Sequence, residues 1–260
     1  MEEFNQLFSD DFFEIDKPKE KTLTLKEGER RIVSILFADI KGFTALSESL
    51  DHEEVRNLVD QLLKIFSKCV DLHGGFVDKY TGDQIMALFG AKKASEVDTQ
   101  RAINTGFLML SQLKKFNKIL KTNSKYSNLN IEFSIRVGIN TGMVTTGAVG
   151  KERKGDFTVY GDAVNLASRM ESNAPINTIM VPEETMTLVK DYFVFKNNST
   201  IKVKGKNNPI SVFTLKSKKD KSIIHSSPFI GRDNEIKKIN QFFKQSKNDI
   251  NKINLIGISA

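Results

Sequence analysis

No tryptophan occurs among the 260 residues, and there is a single cysteine, Cys69. One thiol excludes an internal disulfide framework and a multi-thiolate metal site. No apolar run approaches the roughly 18 residues that a membrane-spanning helix needs. The first residues, MEEFNQLFSDDFF, lack the basic start and cleavable apolar stretch of a secretory signal. A reducing, cytoplasmic setting without an integral membrane segment is therefore expected. There is no internal repeat. What is present is the balance of a folded globular chain, with 39% hydrophobic and 27% charged residues.

The net charge of +7 raises the question of a polyanionic partner. Residues 1–30 hold nine acids against five bases, whereas residues 216–260 hold ten bases against four acids. The densest basic run, KSKKDK (216–221), has no interleaved aromatics. It reads as a solvated linker, and no nucleic-acid partner is expected.

Residues 1–28 show no sustained periodicity and are expected to form a leader arm. RIVSILFADI (31–40) is nearly all apolar and of strand length, as in a strand covered on both faces. From Asp51 to Leu72, apolar residues recur at three- and four-residue steps, and Gly74 and Gly75 close this amphipathic helix. GFVDKY and QIMALFG flank Thr81–Gly82–Asp83 as a hairpin. A second helix is expected over 95–120, with Ala102, Phe107, Leu110, Leu113 and Phe116 inward. A strand over 131–140 is expected to turn at Thr141–Gly142 into VTTGAV. Then come the short strand FTVYG, a helix over 163–172, a strand over 177–181 and a short helix over 183–190. A final hairpin pairs STIKVKG with ISVFTLK. Mixed strands with helices between them predict an α+β fold, a mostly antiparallel sheet with helices packed on it.

Two carboxylates carry the first chemical signal. Asp39 ends the buried strand just before a glycine break, where a sheet presents functional groups to a loop; a turn-capping aspartate is the alternative. Asp83 lies in the next hairpin turn, where Gly-Asp is also an ordinary turn pair. If that hairpin lies beside the strand ending at Asp39, the two carboxylates converge at one sheet end. Hard oxygen ligands without His or Cys suit Mg²⁺, whose shell is then completed by substrate phosphates.

FADIKGFTALSE, DKYTGDQIMALFG, IRVGINTGMVTTGAVG and FTVYGDAVNLASRME together resemble the catalytic core of class III nucleotide cyclases, in order and over about residues 28–216. The resemblance implies a ferredoxin-like core and a head-to-tail homodimer with active sites shared at its interface. It implies conversion of ATP to 3′,5′-cyclic AMP and pyrophosphate with two Mg²⁺ or Mn²⁺ ions per site. Asp39, Asp83 and the Ile40 main-chain carbonyl match the metal ligands. Phe43 and Thr44 fall in the segment whose backbone N–H groups would hold phosphate. Lys79 and Thr158 match the purine-reading pair. A lysine can donate to adenine N1 and a threonine can accept from N6, whereas guanine would require a carboxylate at the lysine position. Threonine at 158, where many members carry aspartate, is similar to the subclass that includes soluble, bicarbonate-responsive adenylyl cyclases.

Asn165 and Arg169 are four apart on one helix, so they share a face. They match the residues that orient the ribose and stabilise charge on the α-phosphate. Lys204 and Arg153 match bases that hold the terminal phosphates, with Lys202 and Lys206 as competitors for the Lys204 role. A silent cyclase-like dimerisation module and a guanylyl cyclase remain as alternatives. A diguanylate cyclase lacks support, because its glycine–glycine–acid–acid–phenylalanine turn is replaced by TGDQ. Three segments are thus expected: a leader (1–28), a cyclase domain (29–216) and a basic linker (217–260). In the last, SPFIGRDNEIKKINQFF and INLIGISA resemble the entrance to a P-loop NTPase region, either the start of a longer module or a remnant of one, with no glycine–lysine–Ser/Thr phosphate loop. His52, His73 and His225 are scattered and carry no expected role.

Overall fold

The computed structural model describes residues 28–42, 50–129, 131–148, 157–202, 209–219 and Lys237. The chain divides into two units, 1–219 and 220–260. In the second, only Lys237 is described, in helical conformation. In the first, eight strands form one sheet: β1 (Arg30–Lys41), β2 (Phe76–Thr81), β3 (Gln84–Phe89), β4 (Ser134–Ala148), β5 (Phe157–Tyr160), β6 (Thr178–Pro182), β7 (Phe193–Ile201) and β8 (Ile210–Lys218). Among the described residues, four α-helices lie between them: α1 (His52–Leu72), α2 (Asp98–Thr122), α3 (Asp162–Asn173) and α4 (Glu183–Val189).

The strand order is β2-β3-β1-β4-β6-β8-β7, with β5 paired to β4. Among the described strand pairs, only β4–β6 is parallel. The run β1-α1-β2-β3-α2-β4, with β1 between β3 and β4, is a ferredoxin-like core. The α+β, mostly antiparallel expectation therefore holds.

β1 is covered on both faces, as its composition predicts. Alternation sends Leu36, Ala38 and Ile40 into the cluster shared with α1 and α2. Val33, Ile35 and Phe37 go into a second cluster with Met86, Leu88, Ala163 and Ala167, beneath α3. Asp39 follows the second parity and so belongs to the α3 face. On α1 the buried residues Leu58, Leu62, Phe66 and Cys69 follow the helical period. The buried amide of Asn117 on α2 donates to the Phe133 carbonyl (2.7 Å) and accepts from its N–H (3.0 Å). It thereby ties the helix to the entrance of β4.

Three local expectations are corrected. No turn occurs at Thr141–Gly142, because β4 runs straight through it. Thr141 and Gly142 pair with Ser34 and Val33, so the long β1 ladder overrides the local turn chemistry. The glycine serves close packing instead, since a Cβ there would lie 2.9 Å from the Ala163 side chain. The second helix begins at Asp98, because residues before it are held in a turn by the Ser95 N–H donating to the Asp98 carboxylate (2.6 Å). Phe107 and Leu110 are half-buried and line a groove between α2, β6 and β8.

Candidate active site

Asp39 occupies the end of β1 and is 7% exposed. Its neighbour across the ladder is Gln84, and the Ile40 N–H donates to the Asp83 carbonyl at 3.2 Å. The β2–β3 turn, with Gly82 at φ +63°, thus delivers Asp83 to the strand end that carries Asp39. The convergence of the two carboxylates is a consequence of hairpin register. Burial, and then the Asp39 charge, raise the Asp83 carboxyl above its ordinary range.

Glu171 joins them from α3. It is 4% exposed, and its Oε2 accepts from the Gln84 amide at 3.3 Å. Burial, with the Asp39 charge second, pushes its carboxyl up to about 7. The Lys41 ammonium pairs with Asp39, and that hydrogen bond raises the lysine above its usual value. Three acids against one base leave this sheet end with an excess of negative charge that a divalent cation would relieve. The donors are hard oxygens, which fits Mg²⁺ or Mn²⁺. Among the described residues no group of three or more His, Cys, Asp or Glu side chains is placed to hold a metal ion by itself. Two carboxylates alone leave most of an octahedral shell to other oxygens, and Mg²⁺ commonly fills such positions with water or phosphate.

The second cluster joins β2 to β5. The Lys79 ammonium donates to Thr158 Oγ1 at 3.4 Å. Thr158 is 5% exposed, and its hydroxyl donates to Asp78 Oδ2 at 2.9 Å. Asp78 sits at a β-bulge, where the ladder shifts between Val77 and Lys79. The bulge turns its side chain inward against Thr158, and the side chain has no solvent exposure. Burial raises its carboxyl above the ordinary range, while the Thr158 hydrogen bond and the Lys79 charge pull it back.

Asn165 and Arg169 are both exposed on α3. Ala163, Leu166, Ala167, Met170 and Glu171 form the buried side of this helix, so Asn165 and Arg169 face outward. Asp39 and Asp83 form one group, Lys79 and Thr158 another, and Asn165 with Arg169 a third. Phe43, Thr44, Arg153, Lys204 and Lys206 lie outside the described residues; Lys202 is described and exposed.

Sequence reasoning missed Lys41, Asp78, Gln84 and Glu171. Glu171 left a signal, because it continues the Ala163–Ala167 stripe at four-residue spacing and is an acid on a buried face. Asp78 left none, because strict alternation would turn it away from Lys79 and only the bulge reverses that.

Residues 25–217 match the family described as the adenylate and guanylate cyclase catalytic domain. An adenylate cyclase of Anabaena cylindrica is 31% identical over 223 residues, 84% of this chain and 43% of that protein. The chain thus spans less than half the length of that curated relative. Among solved structures, the adenylyl cyclase CyaB from P. aeruginosa is 32% identical with a TM-score of 0.69, covering 75% of this chain and 98% of the other. The guanylyl cyclase Cya2 is 30% identical with a TM-score of 0.67, covering 75% and 97%. The fold, the carboxylate-bearing strand end and these similarities agree, and the chain belongs to the adenylate and guanylate cyclase catalytic domain family.

Proposed function

We propose that the chain converts ATP to 3′,5′-cyclic AMP and pyrophosphate at sites shared by two copies. The observation that carries the reading is the Lys79–Thr158 pair at 3.4 Å. Their groups offer a donor for adenine N1 and an acceptor for the 6-amino group, the pattern that guanine inverts.

Asp39, Asp83 and the Ile40 carbonyl would hold two Mg²⁺ or Mn²⁺ ions, whose charge would lower the pKa of the ribose 3′-hydroxyl and offset that of the triphosphate. Asn165 orients the ribose. Arg169 places its guanidinium fork against the α-phosphate as the 3′-oxygen attacks in line and pyrophosphate leaves. Lys204 and Arg153 take the terminal phosphates, with backbone N–H groups around Phe43 and Thr44. The outward placement of Asn165 and Arg169 supports a site completed across a dimer. So do apolar side chains left at the surface: Ile32 and Met143 are cross-strand neighbours with 62% and 56% exposure, and Tyr160 is 48% exposed. A threonine at 158 supports placement near the soluble adenylyl cyclase subclass. The family domain would span 29–216, between a leader and a basic linker to an NTPase-like region.

The test is purified protein with Mg²⁺ or Mn²⁺ and either ATP or GTP, with the cyclic products resolved. Cyclic AMP as the main product is expected. Cyclic GMP as the main product, which the similarity to Cya2 makes the second reading, overturns the adenine assignment. No product from a folded dimer favours a silent module.

A further inference from the structure

We infer that Asp78 sets purine specificity by fixing the polarity of the Thr158 hydroxyl. This rests on the ATP reading above and names a residue that acts within that site.

A threonine hydroxyl holds one donor and two acceptor positions, and its hydrogen rotates to suit its neighbours. A threonine standing alone beside the purine 6-position could accept from an amino group or donate to an oxo group. It would then discriminate little between adenine and a 6-oxopurine. Thr158 does not stand alone. Its Oγ1 lies 2.9 Å from Asp78 Oδ2, an acceptor only, and 3.4 Å from the Lys79 ammonium, a donor only. The hydroxyl hydrogen is committed to the carboxylate and one lone pair faces the ammonium. What remains for a ligand is a second lone pair. Thr158 is therefore left as an acceptor, which takes a 6-amino hydrogen and repels a 6-oxo oxygen.

Asp78 cannot make this distinction by contact, because its side chain has no solvent exposure. It is a positioning residue that acts through Thr158. Its other oxygen, Oδ1, is buried and has no hydrogen-bond partner among the described residues. Such an atom costs stability, and packing alone does not explain keeping a carboxylate there. The bulge that aims it inward interrupts the β2–β3 ladder at this residue.

The test reads the 6-position. ATP carries a 6-amino group and inosine triphosphate a 6-oxo group; the two also differ at N1, but Lys79, which faces N1, is the same in every variant below. Steady-state kcat/KM for both, at pH 8 with excess Mg²⁺, gives their ratio for the full chain and for Asp78→Asn, Asp78→Ala and Thr158→Val. The wild type is expected to favour ATP by at least about tenfold, as expected for a site built to bind the missing group. An asparagine can both donate and accept, so Asp78→Asn unlocks the hydroxyl at unchanged size, and an alanine removes the acceptor. In each single variant the ratio is expected to fall at least threefold, and the Asp78→Ala/Thr158→Val pair is expected to lose no more than Thr158→Val alone. ATP and the analogue falling in parallel in the folded Asp78 variants, with the ratio unchanged, overturns the inference and leaves the ATP reading standing. If Asp78→Ala does not fold, the isosteric Asp78→Asn and Thr158→Val decide in its place. A wild type that prefers GTP overturns both readings.

Discussion

Glu171 is the residue whose placement has the clearest thermodynamic consequence. Its carboxyl is raised to about 7 in the fold, first by burial and then by Asp39. An acid whose folded pKa exceeds its unfolded value is harmless at low pH, when both states hold the proton. It costs stability progressively as pH rises from the unfolded value through the folded one. In metal-free protein, Glu171→Gln is expected to raise the unfolding free energy at pH 8 by up to about 3 kcal/mol, with the gain vanishing near pH 4. Urea denaturation of both proteins at the two pH values, in chelator, checks this. A gain of equal size at both values would show that the charge is not its source. Cys69 is the opposite case, a titratable residue with no part in the site. It lies on the buried face of α1 with its thiol raised to about 12 by burial, an inert core position. Asp39 was legible because an acid ending an apolar strand has no packing role, whereas Asp78 became visible only once the bulge was.

At the scale of elements, α3 is held against β4 by direct backbone contact. A Cβ on Gly138 would come 2.0 Å from the Glu171 N–H nitrogen and 2.5 Å from the Ala167 carbonyl. This close approach brings Glu171 to the Asp39 end of the sheet while Asn165 and Arg169 remain outward. Gly138→Ala must push the helix off the strand, and overpacking of this kind costs typically about 1–3 kcal/mol or more. A lowered thermal midpoint is expected, together with a loss of cyclase activity larger than the unfolded fraction explains. Full activity in the folded remainder would show that helix position is not critical. Element types were readable from period because long apolar stretches at 3.6 or 2.0 spacing leave little choice. The Thr141–Gly142 error arose because turn propensity is local, while twelve cross-strand pairs between β1 and β4 are not.

At the scale of the whole molecule, the chain presents carboxylates at one sheet end and Asn165 with Arg169 on an outward helix face. In a two-fold dimer with shared sites, Asp39→Ala and Asn165→Ala each disable both sites. Mixed in equal amounts, half of the dimers are hybrids with one intact site, so activity is expected to return to about a quarter of wild type. Purifying the singly inactive variants, mixing them under exchange conditions and measuring cyclic AMP tests this. No recovery, with hybrid dimers demonstrated, would place each site within one chain.

The sequence by itself determined the α+β class, the order of elements and the candidacy of Asp39, Asp83, Lys79, Asn165 and Arg169. The class, the elements and the two aspartates follow from hydrophobic period and residue chemistry, which are local properties of the chain, whereas Lys79, Asn165 and Arg169 became candidates through the resemblance to class III cyclases. Only the tertiary structure decided which of these meet. The hairpin register brings Asp83 to Asp39, the Gly138 contact adds Glu171, and a single bulge turns Asp78 under Thr158. Those outcomes depend on pairing between segments far apart in sequence, and no local pattern encodes them. The +7 charge that first raised a polyanionic partner leaves the described Lys79 and Arg169 at the proposed nucleotide site, one for the purine and one for the α-phosphate.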